Sequence, residues 1–157
     1  MRMVPLDQAP ELALRLGAAT VIGGLIGLNR DMHAKPAGLR TLGLVALGAA
    51  LVTLAVLDFD PHRATPLDAV SRVIQGVLVG VAFLGAGVIM RDEVGHPHRL
   101  NTAAAIWVTA ALGITCGLGA WVPAVITALL VLLLLTIGAR IDHWLFGRSE
   151  KTQDPKD

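Results

Sequence analysis

The chain has 157 residues, 54% hydrophobic and 16% charged, with a mean hydropathy of +0.66 and a formal net charge of +1. Its charged content lies well below the roughly 25% of soluble domains, and so small a net charge provides no global field for nucleic acid. This length accommodates one compact bundle, without a sizeable domain outside a membrane.

Five apolar blocks fill most of the sequence: Leu12–Leu28, Leu42–Leu57, Val73–Met90, Ala103–Leu118 and Val122–Ile141. A hydrocarbon core roughly 30 Å thick needs about 20 helical residues. Lipid offers the backbone no hydrogen-bond partner, so each block is expected to be a helix. The predicted fold is all-α: a polytopic transmembrane bundle of five spans over residues 1–148, with a short disordered cytoplasmic tail over 149–157. Met1–Pro10 lacks the basic, apolar and cleavage regions of a signal peptide, so the first span is expected to act as its own uncleaved signal.

The first span is preceded by Glu11 and carries Arg15 four residues later, a spacing that permits an ion pair at the membrane edge. Ala13, Gly17, Thr20, Gly24 and Gly27 recur along it at steps of three and four. The link that follows is punctuated by Lys35-Pro36-Ala37-Gly38, a turn signal. In the second span Gly43, Ala46, Ala50 and Thr53 form the small-residue stripe. The third opens with Thr65 or Asp68 as its capping candidate and with Arg72 and Gln75, then carries Gly76, Gly80 and Gly87. Glu11 and Asp68 are the candidate partners of Arg72. In the fourth span the stripe is Thr102, Thr109, Gly113 and Gly117; Cys116, the sole cysteine, is expected to be a buried packing residue. The fifth span is greasy on all sides from Leu129 to Leu135, which suits a peripheral, lipid-facing helix.

Three glycine pairs have the G-x-x-x-G spacing: Gly23/Gly27, Gly76/Gly80 and Gly113/Gly117. Between helices in lipid, close backbone approach supplies much of the attraction. These glycines are expected to pack the bundle, and one pair to form a self-association face, a dimer being favoured. Gly80→Leu is expected to disturb packing in either case. Gly85 and Gly87 either break the third helix or pack within a continuous one, the continuous helix being preferred.

Basic residues gather on one side. Arg30, Lys35 and Arg40 lie between spans one and two, Arg91 and Arg99 between three and four, and Arg140, Arg148, Lys151 and Lys156 near the C-terminus. The positive-inside bias then places the N-terminus outside and the C-terminus in the cytoplasm. Helix ends on that side bring Asn29, Arg30, Asp31, Arg40, Thr41, Arg91, Asp92, Asn101 and Thr102 into one polar layer. Arg30–Asp92 or Arg91–Asp31 pairs would latch helices there. Alternatively, Arg40, Thr41 and the amides opening the second helix would hold a lipid phosphate or another anion.

No Asp, Glu or His occupies the middle third of any span, which argues against a divalent-cation path or a proton relay. His96 and His98 alone do not close a metal site. No nucleophile, base and orienting group stand together. The chain is therefore not expected to be an enzyme or to need a cofactor or a metal.

Two long motifs carry a family resemblance. The first runs Ile26-Gly27-Leu28-Asn29-Arg30-Asp31, then Lys35-Pro36-Ala37-Gly38-Leu39-Arg40-Thr41, then Leu44-Val45-Ala46-Leu47-Gly48-Ala49. The second runs Phe83-Leu84-Gly85-Ala86-Gly87-Val88-Ile89-Met90-Arg91, then Leu100-Asn101-Thr102-Ala103-Ala104-Ala105-Ile106-Trp107-Val108. In that order they resemble the MgtC/SapB family. Asn29-Arg30-Asp31 stands where the family usually has Glu-Arg-Glu, and Gly80-Val81-Ala82-Phe83 where it commonly has Gly-Ile-Gly-Phe. The better-studied members carry a soluble C-terminal domain, so this chain reads as a short form. The resemblance implies a bacterial inner-membrane protein linked to low-magnesium adaptation, survival inside phagocytes and, in some members, restraint of the proton-driven ATP synthase. The expected partners are the lipid bilayer, a second copy and another membrane protein. The favoured function is a membrane regulator working through helix–helix contact, the alternative a small transporter or channel.

Overall fold

A computed structural model describes residues 8–57, 67–90 and 100–146, with side chains described up to residue 138. Every element among the described residues is a helix: α1 Ala9–Met32, α2 Leu39–Leu57, α3 Leu67–Met90, α4 Leu100–Gly117 and α5 Trp121–Phe146. All five are long and apolar enough to cross a membrane. Thr65, Arg91, Asp92, Arg99, His96, His98 and the 149–157 tail lie outside the described residues.

α1 and α2 form a hairpin, α4 packs beside both, α3 leans on α4 and α2, and α5 covers α4 and α1. α4 is the hub, because it touches every other helix. Its composition explains the position. Thr102, Ala105, Thr109, Gly113 and Gly117 are short enough for a helix surrounded by helices, and all are buried. The bundle closes on Ala46 of α2, which α1 and α4 approach from two sides. A methyl at Gly23 would lie 2.7 Å from the Ala46 Cβ and 2.6 Å from the Leu42 carbonyl oxygen. A methyl at Gly113 would run into the Ala46 carbonyl, and one at Gly117 would lie 2.9 Å from the Ala50 carbonyl oxygen. The hydroxyls of Thr53 and Thr109 are buried in this seam and donate to the carbonyls of Ala49 at 2.8 Å and Ala105 at 2.7 Å. Each polar group is thereby satisfied within its own helix. Cys116 is fully buried among Ala19, Ala46, Ala50 and Ala124.

The packed face of α1 differs from the expected stripe. Ala19, Gly23, Ile26, Gly27 and Arg30 are buried, whereas Ala13, Gly17 and Thr20 are exposed and Gly17 and Gly24 have open space around them. Ile26 inserts between Leu42 of α2 and Ile106 of α4, and that contact sets the rotation of α1. On α2 and α4 the expected stripes are the packed ones. α3 is one continuous helix through Gly85 and Gly87, which excludes the broken alternative. Its glycines divide. Gly85 is buried against Ala103, while Gly76, Gly80 and Gly87 meet nothing within 4 Å. The same open space means that Gly80→Leu leaves the bundle's own packing alone. Leu129, Leu130, Leu133 and Leu134 of α5 are exposed, as the fifth block's uniform greasiness implies.

Two helix ends share one architecture. At the end of α4 the Gly119 amide bonds the Cys116 carbonyl and the Ala120 amide the Thr115 carbonyl, with Gly119 at φ 72°. This is a Schellman stop, for which glycine is the natural residue. α1 ends in the same pattern, Ala34 to Asp31 and Lys35 to Arg30, but alanine holds the left-handed position at φ 51°. Ala37 is left-handed as well, at φ 59°. The chain bends at residues 36–37 within the expected turn, and the left-handed positions fall on Ala37 and on Ala34 just before it, not on Gly38.

Candidate functional site

The last turn of α1 carries Asn29, Arg30 and Asp31 into the link to α2. Arg30 is only 3% exposed. Its Nη2 donates to the Pro36 carbonyl at 2.8 Å and to the Thr102 hydroxyl at 2.6 Å, and its Nε to the carbonyls of Pro36 at 3.2 Å and Ala37 at 3.3 Å. A buried cation demands such acceptors. The left-handed Ala34 and Ala37 bend the loop whose Pro36 and Ala37 oxygens supply them. One guanidinium thus ties α1, the α1–α2 loop and the first turn of α4.

Asp31 works beside it. Its Oδ2 accepts the Leu39 amide at 2.9 Å, so a side chain from α1 caps the start of α2. The contact is tight enough that a Cβ on Gly38 would collide with the Asp31 carboxylate. Gly27 serves the same junction, a methyl there falling 2.5 Å from the Leu39 Cα. The carboxylate also lies at the positive end of the α2 dipole, which favours it further.

Of the polar layer expected from the sequence, the structure unites Arg30, Asp31 and Thr102. Asn29 is half-buried alongside, its carbonyl 2.7 Å from His33 Nδ1. Arg40, Thr41 and Asn101 are exposed and stand outside the clasp. Arg91 and Asp92, with the latches assigned to them, lie outside the described residues. The carbonyls of Pro36 and Ala37 and the close approach at Gly38 were not among the expected site groups. Their signal was the Lys35-Pro36-Ala37-Gly38 motif, read there only as a turn.

A second clasp closes the other end. Arg15 Nη1 donates to the Gly117 carbonyl at 2.9 Å, and Nη2 pairs with Glu11 as the i,i+4 spacing anticipates. The guanidinium lies against Gly119, where a Cβ would stand 2.9 Å from Nη2. A small recess of about 130 Å³ opens between this pair and Leu54 and Leu57 of α2. Arg72 is exposed, and among the described residues it pairs with neither Glu11 nor Asp68. No three His, Cys, Asp or Glu side chains converge as metal ligands would, among the described residues.

A wider recess is a different kind of place. It is an open apolar groove of about 410 Å³ between α2 and α3, flanked by Val45, Gly48 and Val52 on one wall and Gly76, Gly80 and Leu84 on the other. Among the described residues, no charged one lines it.

Comparison with known proteins places this arrangement. The MgtC family model matches residues 16–144. Protein SrpB of Synechococcus elongatus is 40% identical over 92% of this chain and 86% of its own length. Protein MgtC of Salmonella typhimurium is 40% identical over 76% of this chain and 48% of its own, and Protein SapB of Bacillus subtilis 35% over 79% and 55%. The chain thus spans about half of MgtC and SapB but most of SrpB. No solved structure matches. The matched segment holds α2, α3 and α4 whole, most of α1 and α5, and the Arg30 clasp, and on that ground the chain belongs to the MgtC family.

Proposed function

We propose that this protein is a regulator in the bacterial inner membrane that acts by seating another transmembrane helix against its α2–α3 face. The supporting observation is the contrast between a closed interior and an open flank. Glycine and alanine bring α1, α2 and α4 into backbone contact, with Ile26, Leu42 and Leu112 buried between helices. The groove beside Gly48, Gly76 and Gly80 is open to lipid and lined by backbone and aliphatic groups, the surface on which helices associate in a bilayer. In this reading the clasp at Arg30 lies on the cytoplasmic side, with the N-terminus outside, and the exposed Arg40 and Thr41 face headgroups there. The physiological role is adaptation to low magnesium and to life inside phagocytes, with restraint of the proton-driven ATP synthase as one outcome of docking.

A photoreactive residue at Val52 tests the reading in native membranes. It is expected to trap a protein adduct, while vesicles carrying the purified protein stay as tight as empty ones. Flux of ions or small solutes above the protein-free rate overturns it in favour of a transporter or channel. Alkaline phosphatase and green fluorescent protein fusions at the C-terminus test the orientation, fluorescence without phosphatase activity being expected.

A further inference from the structure

The apolar groove between α2 and α3 has a polar mouth. On α2 it begins at Leu44 and Val45. Arg40 and Thr41 stand one turn nearer the helix start, each on the line of the residue four ahead. Both are exposed. The Cα–Cβ bonds of a helix tilt toward its N-terminus, so these two side chains lean away from the groove and toward the membrane surface. The first turn of α2 holds no acidic residue, and the Asp31 carboxylate of α1 is committed to the Leu39 amide. α3 offers the contrast. Arg72 stands one turn ahead of Gly76, but Asp68 stands a further turn ahead, so both signs meet there. The walls of the groove, residues 44–52 and 76–84, each rise about 12 Å at 1.5 Å per residue. That is close to one leaflet's half of a hydrocarbon core roughly 30 Å thick.

We infer that, when no helix is seated there, the groove holds one acyl chain of an anionic phospholipid whose phosphate sits on Arg40 and Thr41. A guanidinium presents two parallel N–H donors to phosphate oxygens, and the Thr41 hydroxyl adds a third donor. Gly48, Gly76 and Gly80 each meet nothing within 4 Å of a built Cβ, which leaves the trough open along the length of a chain. A zwitterionic headgroup brings its own cation to the same arginine and gains less. The inference builds on the proposed docking role of this flank and adds its regulator: the lipid is what an incoming helix displaces.

Lipid selectivity at the groove is the test. A fluorophore is attached at Val52→Cys, and the native Cys116 takes none because it is fully buried. The purified protein sits in vesicles of phosphatidylcholine and phosphatidylglycerol at one fixed composition, with bromine on the chains of one lipid or the other. Brominated phosphatidylglycerol is expected to quench about fivefold beyond its share of the mixture, the worth of one basic residue beside an anionic surface. A fluorophore at Leu133→Cys, exposed on α5, is the control and is expected to report the bulk composition. Arg40→Gln is expected to abolish the preference by removing the headgroup contact, and Gly80→Leu by filling the trough. Retained membrane insertion and an unchanged unfolding midpoint show that these variants fold. Equal preference at Val52 and Leu133 overturns the inference. A preference that survives Arg40→Gln, or one that survives Gly80→Leu, overturns it too, because the site needs both its mouth and its trough. The photoreactive residue at Val52 keeps the two readings apart. A protein adduct in native membranes without lipid selectivity sinks the lipid seat and leaves the docking role standing; selectivity without an adduct supports the lipid seat and sinks the docking role.

Discussion

Gly23 and Gly24 are chain neighbours on α1 with opposite predicted responses to the same substitution. Gly24 has no neighbour within 4 Å of a built Cβ, so Gly24→Ala adds a methyl to free space and removes glycine's backbone freedom. That gain is about 0.5–1 kcal/mol in a helix interior. At Gly23 the same methyl would lie 2.6 Å from the Leu42 carbonyl oxygen and 2.7 Å from the Ala46 Cβ, where ordinary contact begins at 3.4 Å. Neither obstacle is a flexible chain end, so α1 must back away from α2 by about 0.8 Å. A gap of that size forfeits a quarter to a half of each dispersion well along the seam. Overpacking of this kind costs about 1–3 kcal/mol, against the same gain in helix propensity. The two variants should therefore differ by about 2 kcal/mol, Gly24→Ala above the parent and Gly23→Ala below it. Titration of detergent-solubilised protein with sodium dodecyl sulfate, followed by tryptophan fluorescence, measures the difference. Equal midpoints, or Gly24→Ala as the weaker of the two, would refute the rotation assigned to α1.

Other substitutions probe the two clasps. Thr102→Val is expected to cost about 1–3 kcal/mol, since Arg30 Nη2 loses a buried acceptor, and Thr102→Ser to recover most of it; the same titration reads both. Ala34→Gly is expected to raise the midpoint by about 1 kcal/mol, because glycine suits the left-handed stop that alanine now holds. Gly38→Ala should lower it by about 2 kcal/mol by evicting the Asp31 carboxylate and uncapping α2. Glu11→Gln is expected to stay within about 0.5 kcal/mol of the parent, as the pair with Arg15 is largely exposed on its acidic side.

The helices were legible because twenty-residue greasiness has few other solutions in so short a chain. The peripheral position of α5, with its exposed leucines, was legible too, from the unbroken Leu129–Leu135 run. The rotation of α1 was not. Glycine and alanine occur at Gly17, Ala19, Gly23, Gly24 and Gly27, so several stripes fit the spacing, and Ile26 decides among them by entering between α2 and α4. The clasp was half legible. Arg30, Asp31 and Thr102 stood out as polar residues at helix ends, but the acceptors for Arg30 are main-chain carbonyls, which no side-chain pattern announces. Arg40 and Thr41 shared the layer by sequence position, yet the start of α2 turns them outward.

Arg30 and its Thr102 partner are 72 residues apart in the chain. At the ribosome's pace of about 5–20 residues per second, roughly 4–14 seconds separate their synthesis. Pro36 and Ala37, six and seven residues downstream, emerge almost at once. The bent loop therefore provides a temporary berth for a charge that would otherwise wait bare at the membrane surface. The hairpin of the first two spans can enter the bilayer as a finished unit, and the fourth, when it arrives, completes a socket already shaped to receive its hydroxyl.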